Sequence, residues 1–505
     1  MKVIAMYLPQ FHRVKENDEW WGEGFTDWAS TQNASQLFEN HYQPHIPMNG
    51  NYYNLLEEKT MLWQANLMKQ YGVDGVCMYH YWFKNGKQIL EKPAENLLRW
   101  KNIDMPYCFC WANETWARSW AKIQDANVWT DVCENDRNKH GNAILLEQQY
   151  GNEKDWKQHF DYLKQFFIDE RYIKIEGKPV FILYKASIIP CLNKMISFWQ
   201  DCAKQEGWKG LYIIGGDSKS ISADCLDAEF FHEPRNAMGY FENEFRKNDV
   251  ARIDYEELWK CIISNQYKGR KKTYYWGVVG YDDTPRRGIR GCVLTGNTPE
   301  LFQKYIAKLF AKSELEGNDI IFINAWNEWG EGMHLEPDEK YKYAYLKALR
   351  DAKENYKKLL NNSDFDVNFS KTEIFQERAN KYELYMNVLD LWLQITEKGI
   401  SLEKYFVKRG YYHIGVYGYG ILGRHFVSQL NDSLIDISFL VDKQKDKLQL
   451  DIPIFEPKNK LPQSDIVVVT SFFYFDEIQE DIGDKCKLIS LQEVICECAE
   501  QIWRN

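Results

Sequence analysis

Eight short apolar runs, each ending in polar residues, recur along the first 330 residues, and this alternation constrains the fold more than any other feature. They span residues 3–8, 75–80, 107–112, 180–184, 211–215, 228–232, 274–279 and 320–325. Segments of helical periodicity separate most of them, for example residues 54–71, 155–167 and 299–312. Runs too short to be buried helices, alternating with amphipathic helices, predict a parallel sheet covered by helices. Eight such units predict a (β/α)8 barrel of the TIM type over residues 1–357, with 341–361 as the closing helix. The sixth and seventh runs are the weakest of the eight.

Beyond residue 357 the pattern changes. Residues 361–371 are polar and read as a linker, and 373–398 form an amphipathic helix suited to connecting two domains, so 358–405 is assigned to linker and helix. Residues 406–505 read as a small Rossmann-like α/β domain. A strand at 412–417 leads into Gly418-Tyr-Gly420-Ile-Leu-Gly423 and a helix, a second strand ends at Asp442, and a third covers 466–470. Gly418, Gly420, Gly423 and Asp442 have the spacing of a phosphate-binding turn with its ribose-binding acid. A nucleotide or nucleotide sugar is the ligand such a turn would hold. The segment shows only about half of a dinucleotide fold, so a structural or partner-binding domain is an equal alternative.

Composition narrows the partners. A net charge of -10 argues against nucleic acid, which needs a basic surface. The N-terminus lacks a signal-peptide core and no stretch approaches a membrane span, so the chain is expected to be cytoplasmic. Twelve scattered cysteines without zinc spacing fit reduced thiols and predict no metal site. The oligomeric state is not legible. Nineteen Trp and 32 Tyr, many beside polar residues, suit sugars, which offer an apolar ring face and a hydroxyl rim, although most aromatics fill cores.

Barrel enzymes carry their chemistry at the C-terminal ends of the strands. Those ends supply Gln10 and His12; His80, Tyr81 and Trp82; Asn113 and Glu114; Asp217; His232 and Glu233; Asp282 and Asp283. The last is Asn324-Ala-Trp-Asn327-Glu328-Trp329-Gly330-Glu331-Gly332. His12, His80 and His232 read equally well as hydrogen-bonded structural residues, and Asp282 and Asp283 as turn formers. Cleaving or forming a glycosidic bond needs one carboxyl to handle the proton of the leaving oxygen and a second to assist at the anomeric carbon. Crowding the two raises the pKa of one, which suits an acid and a base in one site. A Glu-x-x-Glu pair is usually a solvated helix face; Trp, Asn and Gly around Glu328 and Glu331 distinguish this one. No G-x-S-x-G elbow occurs.

The segments Tyr7-Leu-Pro-Gln-Phe-His12, Glu16-Asn-Asp-Glu-Trp-Trp-Gly22, Gly24-Phe-Thr-Asp-Trp28, His80-Tyr-Trp-Phe83, Cys110-Trp-Ala-Asn-Glu114 and 324–332 resemble the WbsX-type family. Its members belong to bacterial surface-polysaccharide (O-antigen, lipopolysaccharide) gene clusters and are described as glycosyltransferases. Their barrel is similar to glycoside hydrolase family 99, the endo-α-mannosidases and endomannanases. The resemblance covers residues 1–355. It implies retaining chemistry in which Glu328 deprotonates the sugar 2-hydroxyl and Glu331 is general acid, then general base, with no cofactor required by the barrel. It also implies a carbohydrate-binding mouth drawing on His12, His80, Tyr81, Trp82, Asn113, Glu114, Asn327 and Trp329. Some family 99 enzymes have His where this chain has Gly330. Transfer and hydrolysis share this chemistry, and an inactive glycan-binding barrel is the third expectation.

Overall fold

The computed structural model describes residues 1–117, 144–216, 224–244, 249–265, 271–360, 371–442, 450–457, 460–472, 475–482 and 486–503. The chain forms two compact units, Met1–Lys371 and Thr372–Asn505.

The first unit is built on nine parallel strands: β1 (Lys2–Tyr7), β2 (Gly75–Trp82), β3 (Tyr107–Trp111), β4 (Lys178–Leu183), β5 (Tyr212–Gly216), β6 (Ala228–Phe230), β7 (Lys272–Tyr274), β8 (Trp276–Val278) and β9 (Ile320–Asn324). They pair in the order β7-β6-β5-β4-β3-β2-β1-β9-β8, a nearly closed barrel. The two ends of this path are neighbours in the chain, separated only by Tyr275. Its carbonyl accepts from the amide of Phe322 at 3.0 Å, so the seventh run is one segment that pairs with β6 by its first half and with β9 by its second. Nine strands are therefore eight chain segments, and each overlaps one of the eight apolar runs. The weak seventh run is the one that breaks.

Every residue of β3, β5, β8 and β9 is buried, as strands covered on both faces require. Helices form the outer layer. Glu153–Phe167 starts at a capping box on Asn152 and buries Trp156, His159, Phe160, Leu163 and Phe167 at spacings of three and four. Pro299–Leu315 is capped by the Thr298 hydroxyl and buries Phe302, Tyr305, Ile306 and Leu309. The closing segment carries helix Ala344–Asn355.

The second unit holds five parallel strands: β10 (His413–Tyr417), β11 (Asp436–Val441), β12 (Ile454–Phe455), β13 (Ile466–Val469) and β14 (Leu488–Ser490). Their spatial order is β12-β11-β10-β13-β14. Three strands are legible in the sequence; β12 and β14, of two and three residues, are too short to stand out. Helix Lys371–Glu397 buries Val388, Trp392 and Ile395 in the same core as Phe406, Ile414 and Phe426. This helix is thus part of the second unit, rather than a connector preceding residue 406. The linker residues 361–370 lie outside the described residues. Among the described residues, no helix is long and apolar enough to cross a membrane.

Candidate active site

The segment after β9 is folded into a tight hairpin. Asn327–Glu328 pairs antiparallel with Met333–His334, and a single helical turn, Trp329–Glu331, joins them. Gly332 closes the turn at φ +61, where a Cβ would lie 2.9 Å from that of Asp282, so only glycine fits without strain. Asn327 ties the hairpin to the first strand: its Oδ1 accepts from the amide of Leu8 at 2.8 Å and its Nδ2 donates to the Leu8 carbonyl at 3.0 Å. Behind it lies Glu336, buried, with four donors on one carboxylate. Gln64 Nε2 (2.7 Å) and Trp326 Nε1 (2.8 Å) donate to Oε1. Tyr53 Oη (2.8 Å) and Trp329 Nε1 (2.7 Å) donate to Oε2. Burial pushes this carboxyl up to about 7 despite its donors.

The hairpin presents Glu328 and Glu331 to a cavity of about 710 Å³ at the C-terminal ends of the strands. One guanidinium joins them: Arg286 Nη1 donates to Glu331, and Nη2 lies 3.5 Å from Glu328 Oε2 and 3.1 Å from Asp27 Oδ1. Glu328 is buried, and burial, followed by the charge of Glu331, drives its pKa up against the pull of Arg286. Asp283, at the same mouth, is raised to about 6 by burial. Gly330 sits beside this cluster. A Cβ there would be 2.8 Å from Asp27 Oδ2 and 2.9 Å from Arg286 Nε, so the space a side chain would need at this position is taken by the Asp27–Arg286 pair.

Of the residues expected to meet sugar, Tyr81 and Glu114 line the cavity, with Glu114 paired to Lys185. The others do not. His80 and Trp82 alternate with Tyr79 and Tyr81 along β2, and successive side chains of a strand face opposite sides. Tyr79 and Tyr81 therefore face the cavity. His80 meets His159 of the outer helix, Nε2 to Nε2 at 2.9 Å, and Trp82 stacks on the same ring at 4.4 Å. Burial lowers His80 to about 3. Asn113 clamps the amide and carbonyl of Lys185 at 2.9 and 2.8 Å. Asn327 and Trp329 serve the hairpin as described, and Trp329 stacks on His334 at 3.7 Å. His12 is fully enclosed, lowered to about 4 by burial, and outside the cavity lining. Asp282 is a turn former held by His41, Gln43 and Thr284. Gln10, His232 and Glu233 do line the mouth. Asp217 lies outside the described residues.

Sequence reading missed Asp27, Arg286, Tyr79, Tyr184 and Lys185. Asp27 stands in the segment Gly24-Phe-Thr-Asp-Trp28, a usable signal; Arg286 stands in no motif.

In the second unit, Gly418 has φ +94, and a Cβ on Gly423 would be 2.1 Å from the Gly418 carbonyl oxygen, so both glycines are required by close packing of turn and helix. Gly420 opens the helix Ile421–Leu430 with free space around it. Asp442, at the end of β11, accepts from the Tyr419 amide at 2.7 Å. It therefore occupies one amide of the glycine turn itself.

The family to which the chain belongs points to the class, a carbohydrate-active enzyme. The chain belongs to the family described as glycosyltransferase WbsX, whose family model matches residues 3–349. It is similar to the protein WxcX of Xanthomonas campestris pv. campestris, 30% identical over an aligned stretch of 364 residues that covers 69% of this chain and 49% of WxcX. The chain thus spans about half the length of the curated relatives it matches. Among solved structures, a glycoside hydrolase-like protein is similar at TM-score 0.44 and 11% identity, covering 70% of this chain and 93% of that one. The GH99 endo-α-mannosidase of Bacteroides thetaiotaomicron follows at TM-score 0.42 and 15% identity, covering 70% and 97%.

Proposed function

We propose that the barrel is a glycosyltransferase of bacterial surface-polysaccharide (O-antigen type) biosynthesis that works by retaining, two-glutamate chemistry at Glu328 and Glu331. The observation that carries this is the shared guanidinium: two carboxyls on one rigid hairpin, bridged by Arg286, at the floor of a cavity walled by Tyr79, Tyr81, Tyr184 and Trp276. Glu328, deep and poorly solvated, is a strong base once ionised and suits removal of a proton from the 2-hydroxyl. Glu331, nearer solvent, suits exchange of a proton with leaving group and acceptor. The paired glutamates equally serve an endo-acting α-mannosidase-like hydrolase, in which water replaces the acceptor. The family description favours transfer. A product assay with activated sugars and α-mannosides, following anomeric configuration by NMR, separates the readings. Wild-type turnover in both Glu328→Gln and Glu331→Gln would leave a glycan-binding scaffold.

The second unit is read as Rossmann-like, from its 3-2-1-4-5 strand order and from the packing of Gly423 against Gly418. If it holds a nucleotide or nucleotide sugar, the open flank of Gly420 is the approach. Gly420→Val in the full chain would then abolish calorimetric binding without moving the barrel's unfolding. No heat with the wild type would mark it as structural.

A further inference from the structure

Five cationic side chains line the barrel mouth: Lys185, Arg235, Arg286, Arg287 and Arg290. Three are matched. Lys185 pairs with Glu114, Arg286 with Asp27, Glu328 and Glu331, and Arg287 Nε with Asp283 Oδ2 at 3.2 Å. Arg235 and Arg290 are exposed and form no ion pair among the described residues. Glu233, the remaining acid of the mouth, is turned to its own loop, where its oxygens accept from Asn236 Nδ2 and the Ala237 amide, each at 2.9 Å.

A chain of net charge -10 has carboxylates to spare, yet it leaves two guanidiniums unmatched at one opening. One of them is crowded by two more within five residues, Arg286 to Arg290. Like charges gathered at a concave mouth repel one another and raise the local potential for an anion. Guanidinium forks fit phosphate oxygens bidentately, better than any neutral sugar hydroxyl. The loop after the seventh strand segment, which carries Arg286–Arg290, is also where barrel enzymes commonly hold phosphate.

We infer that the barrel mouth is an oxyanion site in which Arg235 and Arg290 hold the phosphate of a glycosyl phosphate or diphosphate donor. This rests on the glycosidic reading of Glu328 and Glu331 and names its leaving group. In the net transfer, the acceptor hydroxyl oxygen bonds to the anomeric carbon. The bond from that carbon to the phosphate oxygen breaks, its electron pair staying on the phosphate. The hydroxyl proton passes to a glutamate carboxylate. The departing phosphate is an anion already, so the arginines take over the stabilisation that protonation gives a sugar leaving group. The donor's phosphate is thus assigned to the arginines of the barrel and not to the glycine turn of the second unit.

Calorimetric titration of the full chain with inorganic pyrophosphate tests this. Binding should weaken at least tenfold in each of Arg235→Ala and Arg290→Ala, fall steeply with salt, and be unchanged in Gly420→Val. Both arginines are exposed, so the variants should melt like the wild type. No binding, or a loss confined to Gly420→Val, overturns the inference. A parallel titration with methyl glucuronoside separates the sources of negative charge. Equal, arginine-dependent binding of this carboxylate overturns the leaving-group assignment in favour of an anionic glycan. Glutamate-dependent turnover of a neutral α-mannoside without pyrophosphate binding would leave the glycosidic reading standing and this one refuted.

Discussion

Replacing Glu336 by Gln probes how the hairpin that carries Glu328 and Glu331 is held. The four donors on its carboxylate are two indoles, a phenol and an amide. An amide keeps one acceptor oxygen and puts an NH2 where the other was. At the Oε1 position that NH2 would face Trp326 Nε1 and Gln64 Nε2, and Gln64 cannot flip, because its Oε1 already accepts from Tyr7 Oη at 2.7 Å. At the Oε2 position Tyr53 can rotate its hydroxyl to accept, while the Trp329 indole cannot. The better orientation therefore leaves one buried donor facing another, about 1–3 kcal/mol, and weakens two charge-assisted bonds by about 1 kcal/mol each. Relief from burying a charge offsets part of this, so a net loss of about 2–3 kcal/mol is expected. Glu336→Leu, which orphans all four donors, should cost at least about 4 kcal/mol. Urea unfolding followed by tryptophan fluorescence at pH 8, above the value of about 7 to which burial raises Glu336, reads the ionised state. A Gln variant within about 0.5 kcal/mol of wild type would refute the four-donor account.

Glu331→Gln and Glu328→Gln should each lower kcat by about 10²–10⁴, measured on whichever sugar the product assay identifies, while sugar binding stays measurable. Glu328 is raised to about 8, so if it acts as base, kcat/KM should climb with pH through that region, and a fall there would exchange the two roles. The same shift sets a stability slope. The folded value lies above the unfolded one of about 4.3, so the contribution is complete below pH 4.3 and is lost as pH rises through about 8, by up to about 1.4 kcal/mol per pH unit. Glu328→Gln should flatten that slope in urea titrations across pH 5–8. In the second unit, Gly423→Ala drives a Cβ against the Gly418 carbonyl and should cost about 2 kcal/mol or more in that unit's unfolding, whereas Gly420→Ala, in open space, should change it little.

The barrel was legible because its signal is periodic and repeated: a buried strand is a short apolar run, and most runs are followed by a helix that covers them. The side of the strand was the harder part. His80, Tyr81 and Trp82 stand together in the sequence, but a strand sends neighbours to opposite faces, so the trio divides, and Tyr79 joins Tyr81 at the mouth in place of the other two. Asn113, Asn327 and Trp329 show a second limit. Motif residues near the glutamate pair are as readily the clamps that hold the loop as the groups that touch ligand, and only their hydrogen bonds, to Lys185, Leu8 and Glu336, tell the two apart.

Arg286 marks where local reading ends. It meets Asp27 across 259 positions and Glu331 across 45, and neither separation leaves a period or spacing to find. The one local trace is an absence of side chain, Gly330, whose flank is filled by the Asp27 carboxylate and the Arg286 guanidinium. Any residue larger than glycine at that position would have to displace an ion pair that also touches both glutamates. Gly330 and the Asp27–Arg286 pair are therefore alternatives to a side chain at 330, and one physical choice: the cation that bridges the glutamate pair comes from a distant loop, and the hairpin stays bare so that it can reach.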